Sequence, residues 1–363
     1  MFLCGDVMTG RGIDQILPHP CDPVIYEPFM TSAEGYVKLA EAVNGPIRKP
    51  VDYSYIWGDA LRELERAAPD VRIINLETTV TTSDEYQPKG INYRMNPGNI
   101  SCITAAGIGC CCLANNHVLD WGLPGLVETL ETVREAGMKS AGAGRDREEA
   151  ETPAVMAVGG KGRVILFSFG SESSGIPPSW ALSEGKGGVN LLTDLSDETV
   201  RRIGEKVAGV KQRGDVAVAS IHWGGNWGYE VPHEQRSFAR RLIDEAGVDV
   251  VYGHSSHHAK GIEVYRDRLI LYGCGDFIND YEGIGGYEPF RADLGLMYFV
   301  SVDVSTGKLI SLRMTPTQIR RLRVNRASRD DARWLREVLD REGGRFGTRV
   351  EADRDGGLTL LWD

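Results

Sequence analysis

A chain of 363 residues with 42% hydrophobic and 25% charged side chains can bury a sizeable core, in one large domain or two ordinary ones. Its formal net charge of −10 argues against a general nucleic-acid binder, because phosphate contacts require clustered Lys and Arg. An anionic substrate stays open, since a few local cations or a metal reverse the field in a cleft.

The chain begins with MFLCGDVM, which lacks a basic leading region and reads as a first strand at 1–5 rather than a secretory signal. Residues 13–54 are Pro-rich and read as an insertion packed over one rim. An amphipathic stretch at 57–68 precedes a strand at 71–77, and a strand at 109–115 precedes a helix at 123–137. Strands follow at 139–143, 153–158 and 163–169. Then come a helix at 197–214, a strand at 216–223, a helix at 232–247, and strands at 248–253 and 269–275. Glycines 137, 214, 247 and 343 are helix-stop signals. The stretch 294–319 reads as a hairpin turning at Ser305–Thr306–Gly307, and a last helix covers 329–343. No apolar run of about 18 residues occurs, so no membrane span is expected. Seven cysteines, mostly in apolar runs and without zinc-finger spacing, read as buried thiols of a reducing cytoplasm.

Strands alternating with helices imply an α/β protein with largely parallel pairing: a layered sandwich of two mixed β-sheets flanked by helices. In such folds sites gather at the C-terminal ends of strands. Six of these strands end in ligand-type residues: Asp6; Asn75 and Glu77; Asn115, Asn116, His117 and Asp120; His222; His254, His257 and His258; and Asp276. Singly, each is as readily a cap or an Asx turn. Together they predict one composite site. Carboxylate, imidazole and amide oxygen form a mixed N/O donor set that suits one or two divalent metals, Mn, Fe or Zn, rather than Ca or Mg. The same atoms also suit proton transfer without metal. Arg11 and Arg94 can meet a carboxylate or phosphate bidentately, or pair with acids of the rim. Trp121, Trp223 and Trp227 lie near His117 and His222 in sequence, where aromatic walls suit a peptide or polymer, with a core-edge role as the alternative.

The ordered motifs GDVMTGR, NLETTV, ANNHVLDWG, HWGGNWGYE, GHSSHHAKGIE and YGCGDFIND resemble those of the CapA family of poly-γ-glutamate capsule synthesis proteins. The resemblance implies a calcineurin-like metallophosphatase fold over residues 1–320, with 321–363 as a C-terminal extension on the same domain. It implies metal ligands at Asp6, Glu77, Asn116, His222, His254 and His257, with His117 as general acid oriented by Asp120. Arg11, Arg94, Trp223 and His258 are the candidates for contact with the substrate, a peptide or polyglutamyl chain, with His258 also a less favoured substitute ligand. Two positions depart from the phosphatase pattern: Met8 stands where a histidine is usual, and Asn-Leu-Glu replaces the usual Gly-Asp pair, so one metal position has a protein ligand fewer. The stretches RGIDQILPHP and VDYSYIWGDALRELERAAPDVRIINLETTVT are similar to the lasso-peptide epimerases of this family. That branch implies metal-free inversion at a peptide α-carbon, with Asp6 and His257 as the acid/base pair. Three readings are therefore carried: a metal-dependent hydrolase, a metal-free epimerase, and a non-catalytic capsule-assembly protein.

Overall fold

The computed structural model describes residues 1–363. Its first segment is shared between two sheets. Phe2–Cys4 pairs antiparallel with Leu294–Asp303, and Asp6–Val7 lies parallel between Asp276–Ile278 and Ile73–Leu76. From there the parallel run continues through Cys110–Cys112 to Lys139–Ala141. The other large sheet has Gly162–Ser171, Val216–His222, Val250–His254 and Arg268–Leu271 parallel at its centre, with Ala154–Val158 and Ile262–Tyr265 antiparallel at its edges.

The layering follows from the period of two along each strand. Leu3, Ile73, Cys110 and Cys112 point inward and meet Leu166, Val218, Val250 and Tyr252 of the facing sheet. The alternate residues Phe2, Ile74 and Cys111 point outward, against Leu64 of helix Ala60–Ala67 and Leu126, Leu130 and Val133 of helix Gly122–Glu135. Ile165, Phe167 and Val251 face the opposite way, against Val200 and Ile203 of helix Asp197–Val210 and Phe238 and Leu242 of helix His233–Asp244. The result is four layers, helix, sheet, sheet, helix. Because both faces of each central strand are covered, those strands read as near-continuous apolar runs such as VAVASIH.

The hairpin turns where expected. Leu294–Asp303 and Lys308–Ile319 are antiparallel, and Gly307 takes φ +70° with its N–H donating to the Asp303 carbonyl at 2.6 Å. The C-terminal hairpin Thr348–Ala352 and Leu358–Trp362 extends that sheet through Arg313 and Met314, and helix Arg329–Gly343 covers it with Leu335 and Leu339. One local expectation is corrected, and one segment gains detail. The strand expected over 269–275 ends at Leu271, because the chain turns at Gly275 (φ +77°) to bring Asp276 beside Asp6. The Pro-rich segment 13–54 contains a helix, Glu34–Asn44, which buries Tyr36, Val37 and Ala40.

Candidate metal centre

Strand register brings the polar ends together. Asp276, Asp6 and Asn75 are paired positions on three neighbouring parallel strands, and His222 and His254 are paired on the facing sheet. Asn75 ties the two sheets. Its Nδ2 donates to Asp6 Oδ1 at 2.8 Å and Glu77 Oε2 at 3.2 Å, and lies 3.4 Å from His222 Nδ1. Asp6 Oδ2 also accepts from the Ser255 backbone N–H at 3.1 Å. Ligand atoms of Asp6, Glu77 and His222 all lie within 4.8 Å of one another, and all three residues are buried.

The loop after Cys110–Cys112 is pinned by Asn115, whose Nδ2 donates to Asn75 Oδ1 (3.1 Å) and to the Leu76 carbonyl (2.9 Å) while its Oδ1 accepts from the His117 N–H (3.1 Å). That turn places Asn116 Oδ1 3.0 Å from His222 Nε2. It also sets His117 Nδ1 2.6 Å from Asp120 Oδ2. A carboxylate only accepts, so the proton of neutral His117 resides on Nδ1 and Nε2 is bare, 3.9 Å from Glu77 Oε1. Lys89, which no sequence pattern marked, donates from Nζ to Asp120 Oδ1 at 2.7 Å and to the Asn116 carbonyl.

The electrostatics are those of a buried site with surplus negative charge. Burial pushes the Glu77 carboxyl well above its ordinary range, and the adjacent charge of Asp6 pushes it further. Burial alone would raise Asp6 too, but His254 and His222 beside it hold it below the usual carboxylate range. Burial lowers His222 to about 3 and His117 to about 4. His257 goes the other way: burial would lower it, and the Asp276 carboxylate 2.9 Å from its Nδ1 raises it. His254 Nε2 meets Ser220 Oγ at 3.1 Å. Its Nδ1 lies 3.2 Å from Asp6 Oδ1 but makes no hydrogen bond, an orphaned buried nitrogen. Neutral imidazoles, buried carboxylates in excess and an unpartnered ring nitrogen are what a divalent cation would satisfy, so the residues present fit a metal.

Of the twelve residues given a metal, catalytic or substrate role in the sequence, Asp6, Glu77, Asn116, His117, Asp120, His222 and His254 form one connected cluster, and His257 borders it through Asp276. The other four are placed elsewhere. Arg11 is not free for substrate: its Nη1 donates to Glu27 (2.9 Å), its Nε to Asp280 (3.1 Å), and it lies 3.9 Å from the Tyr36 ring centre. Arg94 pairs with Asp84 at 2.8 Å and covers the buried Trp121 ring at 3.9 Å. Trp223 is core, its indole N–H donating to the Tyr272 carbonyl at 3.0 Å. His258 is buried among Tyr229, Phe290 and Trp227, and burial lowers it to about 4. Trp227, by contrast, stands 5.2 Å from the His257 ring. All seven cysteines are unpaired.

Residues 1–281 match the model of the bacterial capsule synthesis protein PGA_cap family. The chain belongs to this family. A probable polyglutamine synthesis accessory protein of Mycobacterium tuberculosis is 48% identical over 363 residues, covering 99% of this chain and 95% of that protein. The capsule biosynthesis protein CapA of Bacillus anthracis is 24% identical over 280 residues, covering 77% of this chain and 59% of its own length. The PGA biosynthesis protein CapA of Bacillus subtilis is 28% identical over 210 residues, covering 57% of this chain and 52% of its own. The PGA_cap match contains every member of the buried cluster, from Asp6 to Asp276, and leaves the C-terminal helix and hairpin outside.

Proposed function

We propose that this PGA_cap protein is a metal-dependent hydrolase of calcineurin-like metallophosphatase type, serving polyglutamine or capsule polymer synthesis by acting on a peptide-like or γ-glutamyl chain. The observation that carries the reading is the buried Asp6–Glu77–His222 group, whose ligand atoms lie within 4.8 Å and in which burial and the Asp6 charge push the Glu77 carboxyl well above its ordinary range. Asp6, Glu77 and His222 would hold the ion, with Asn116 and His254 beside them. A bound Mn, Fe or Zn ion supplies Lewis acidity and makes nearby water more acidic. His117 carries the proton. Its bare Nε2 accepts from the attacking water and then returns the proton to the leaving group, while Asp120 holds Nδ1–H and stabilises the transient imidazolium.

Metal-free epimerisation by Asp6 and His257 comes second. One observation favours it, the position of His257 on the wall of an adjoining cleft. Asp6, however, accepts from Asn75 and Ser255, and its carboxyl is held below the usual range, which makes it a weak base for a carbon acid. The test is elemental analysis of protein purified without added metal, alongside turnover of peptide and γ-glutamyl oligomers with and without chelator. His222→Ala and Asn116→Ala are expected to lose metal and turnover together. Turnover, or solvent deuterium uptake at an α-carbon, that survives complete metal removal would replace hydrolysis by the acid/base reading. Bound metal with no turnover would leave an assembly role.

A further inference from the structure

A cleft of about 810 Å³ adjoins the metal centre, with His257 in its wall. On one side Trp227 stacks on Tyr287, ring centres 3.9 Å apart, and Ile284 stands beside them. Phe29, Leu39 and Val43 of the segment inserted after the first strand line another side. Several of these side chains are left in water: Phe29 is 86% exposed, Val43 61%, Tyr287 45% and Ile284 44%. Scattered exposed apolar residues are ordinary, but a set gathered on one concave surface beside a polar centre marks a ligand surface.

The charges of the cleft narrow the ligand. Glu27, Glu282, Glu288 and Asp293 line it, against Arg11, Arg291 and Arg320. Arg11 is engaged by Asp280 and Glu27, and Arg291 by Asp293 and Asp331. These pairs also neutralise Glu27 and Asp293, which leaves Glu282 and Glu288 against Arg320, whose Nε donates to Asn44 Oδ1 at 3.3 Å. Asp6 and Glu77 add buried carboxyl groups at the inner end, where Asp276 is paired with His257 at 2.9 Å.

We infer that this cleft binds an uncharged peptide segment carrying a large apolar or aromatic side chain, seated against Trp227 and Tyr287, and that it turns away a polyanionic chain such as oligoglutamate. The inference deepens the reading of the site as one that acts on peptide-like chains, but it concerns binding and is measured without turnover. Calorimetric titration of the full-length protein, metal-free and Mn-loaded, with two capped tetrapeptides at about 0.15 M salt tests it. One peptide carries Phe and Leu between alanines; the other is four glutamates. The apolar peptide is expected to bind at least about tenfold more tightly. Tyr287→Ala is expected to weaken it about tenfold, and Glu288→Arg to raise the affinity for oligoglutamate. Equal or tighter binding of oligoglutamate to the unaltered protein, or Tyr287→Ala binding the apolar peptide unchanged, overturns the inference. Apolar binding without any hydrolysis removes the hydrolase reading alone. Hydrolysis of glutamyl chains without apolar binding removes this inference alone.

Discussion

Glu77→Gln separates a metal ligand from an ordinary buried acid, because the two roles predict opposite signs. Without metal, Glu77 and Asp6 present carboxylate oxygens within 4.8 Å of each other in a buried site. At an effective dielectric of about 20 two full charges at that limit repel by about 3.5 kcal/mol, and by more if closer, part of which Glu77 escapes by taking up a proton. Glutamine keeps the acceptor for Asn75 and removes the charge. The metal-free variant should therefore be more stable than the parent at pH 7, by up to about 3 kcal/mol. With metal at about 100 times its Kd, the parent gains about 2.7 kcal/mol, and the variant, having lost a charged ligand, gains much less. The pH dependence carries its own sign. The folded-state pKa of Glu77 is raised above the ordinary 4.5, so the folded metal-free protein binds the extra proton and is penalised as pH rises. The advantage of the variant should be absent below about pH 4, grow above it, and level off once pH passes the raised value. Urea denaturation in EDTA and in Mn, across this range, measures all three. A metal-free variant less stable than the parent by more than about 1 kcal/mol, or one that gains as much from metal, refutes the charge argument.

Arg11→Met should cost about 3–5 kcal/mol in the same assay, because it strands Glu27 and Asp280, both almost fully buried; a change in substrate KM with unchanged stability would mean that Arg11 binds substrate after all. Asp120→Asn should lower kcat by about 100-fold or more with metal content unchanged, because it no longer fixes the proton on Nδ1 of His117; a variant at parental rate across the pH profile would remove His117 from the chemistry. Gly253→Ala would put its Cβ 2.4 Å from the Tyr272 carbonyl, forcing apart the strand that ends in His254; a loss of about 1–3 kcal/mol and weakened metal uptake are expected from denaturation and metal titration.

The site was legible in the sequence where strand geometry dictated it. Parallel strands end on one rim, so polar residues closing successive apolar runs had to meet, as Asp6, Asn75 and Asp276 do in adjacent register. The same geometry explains Trp223. Neighbours on a strand face opposite sides, so a His222 that faces the buried Asp6–Glu77 cluster sends Trp223 into the helix-covered core. Arg11 was legible as a cation that either meets substrate or pairs with a rim acid, but its partner was not, since Asp280 lies 269 residues away and only the folded register of Asp6 with Asp276 brings it near. Lys89 comes from a loop without periodicity, and nothing short of the folded turn around Asn116 and Asp120 points to it. The helix Glu34–Asn44 was hidden because the prolines before it dominate the local pattern, while its buried stripe of Tyr36, Val37 and Ala40 spans little more than one turn.

The character of the centre depends on what lies next to it in the sandwich. Cys4, Cys112 and Cys274 are buried close to Asp6, and thiolates there would compete for a soft metal. Burial opposes this in the metal-free protein by pushing the Cys4 and Cys274 thiols well above their ordinary range and Cys112 up to about 12, and the nearby Asp6 charge adds to the effect. The thiols therefore stay protonated and act as small hydrophobes, while the carboxylates and imidazoles keep their nitrogen and oxygen donors available. The same low-dielectric packing that makes three acids costly to hold together raises the cost of ionising a thiol beside them. Replacing Cys274 by Ala should therefore leave metal stoichiometry unchanged, and a loss of metal in that variant, with the fold intact by circular dichroism, would show that sulfur is a ligand and the N/O assignment is wrong.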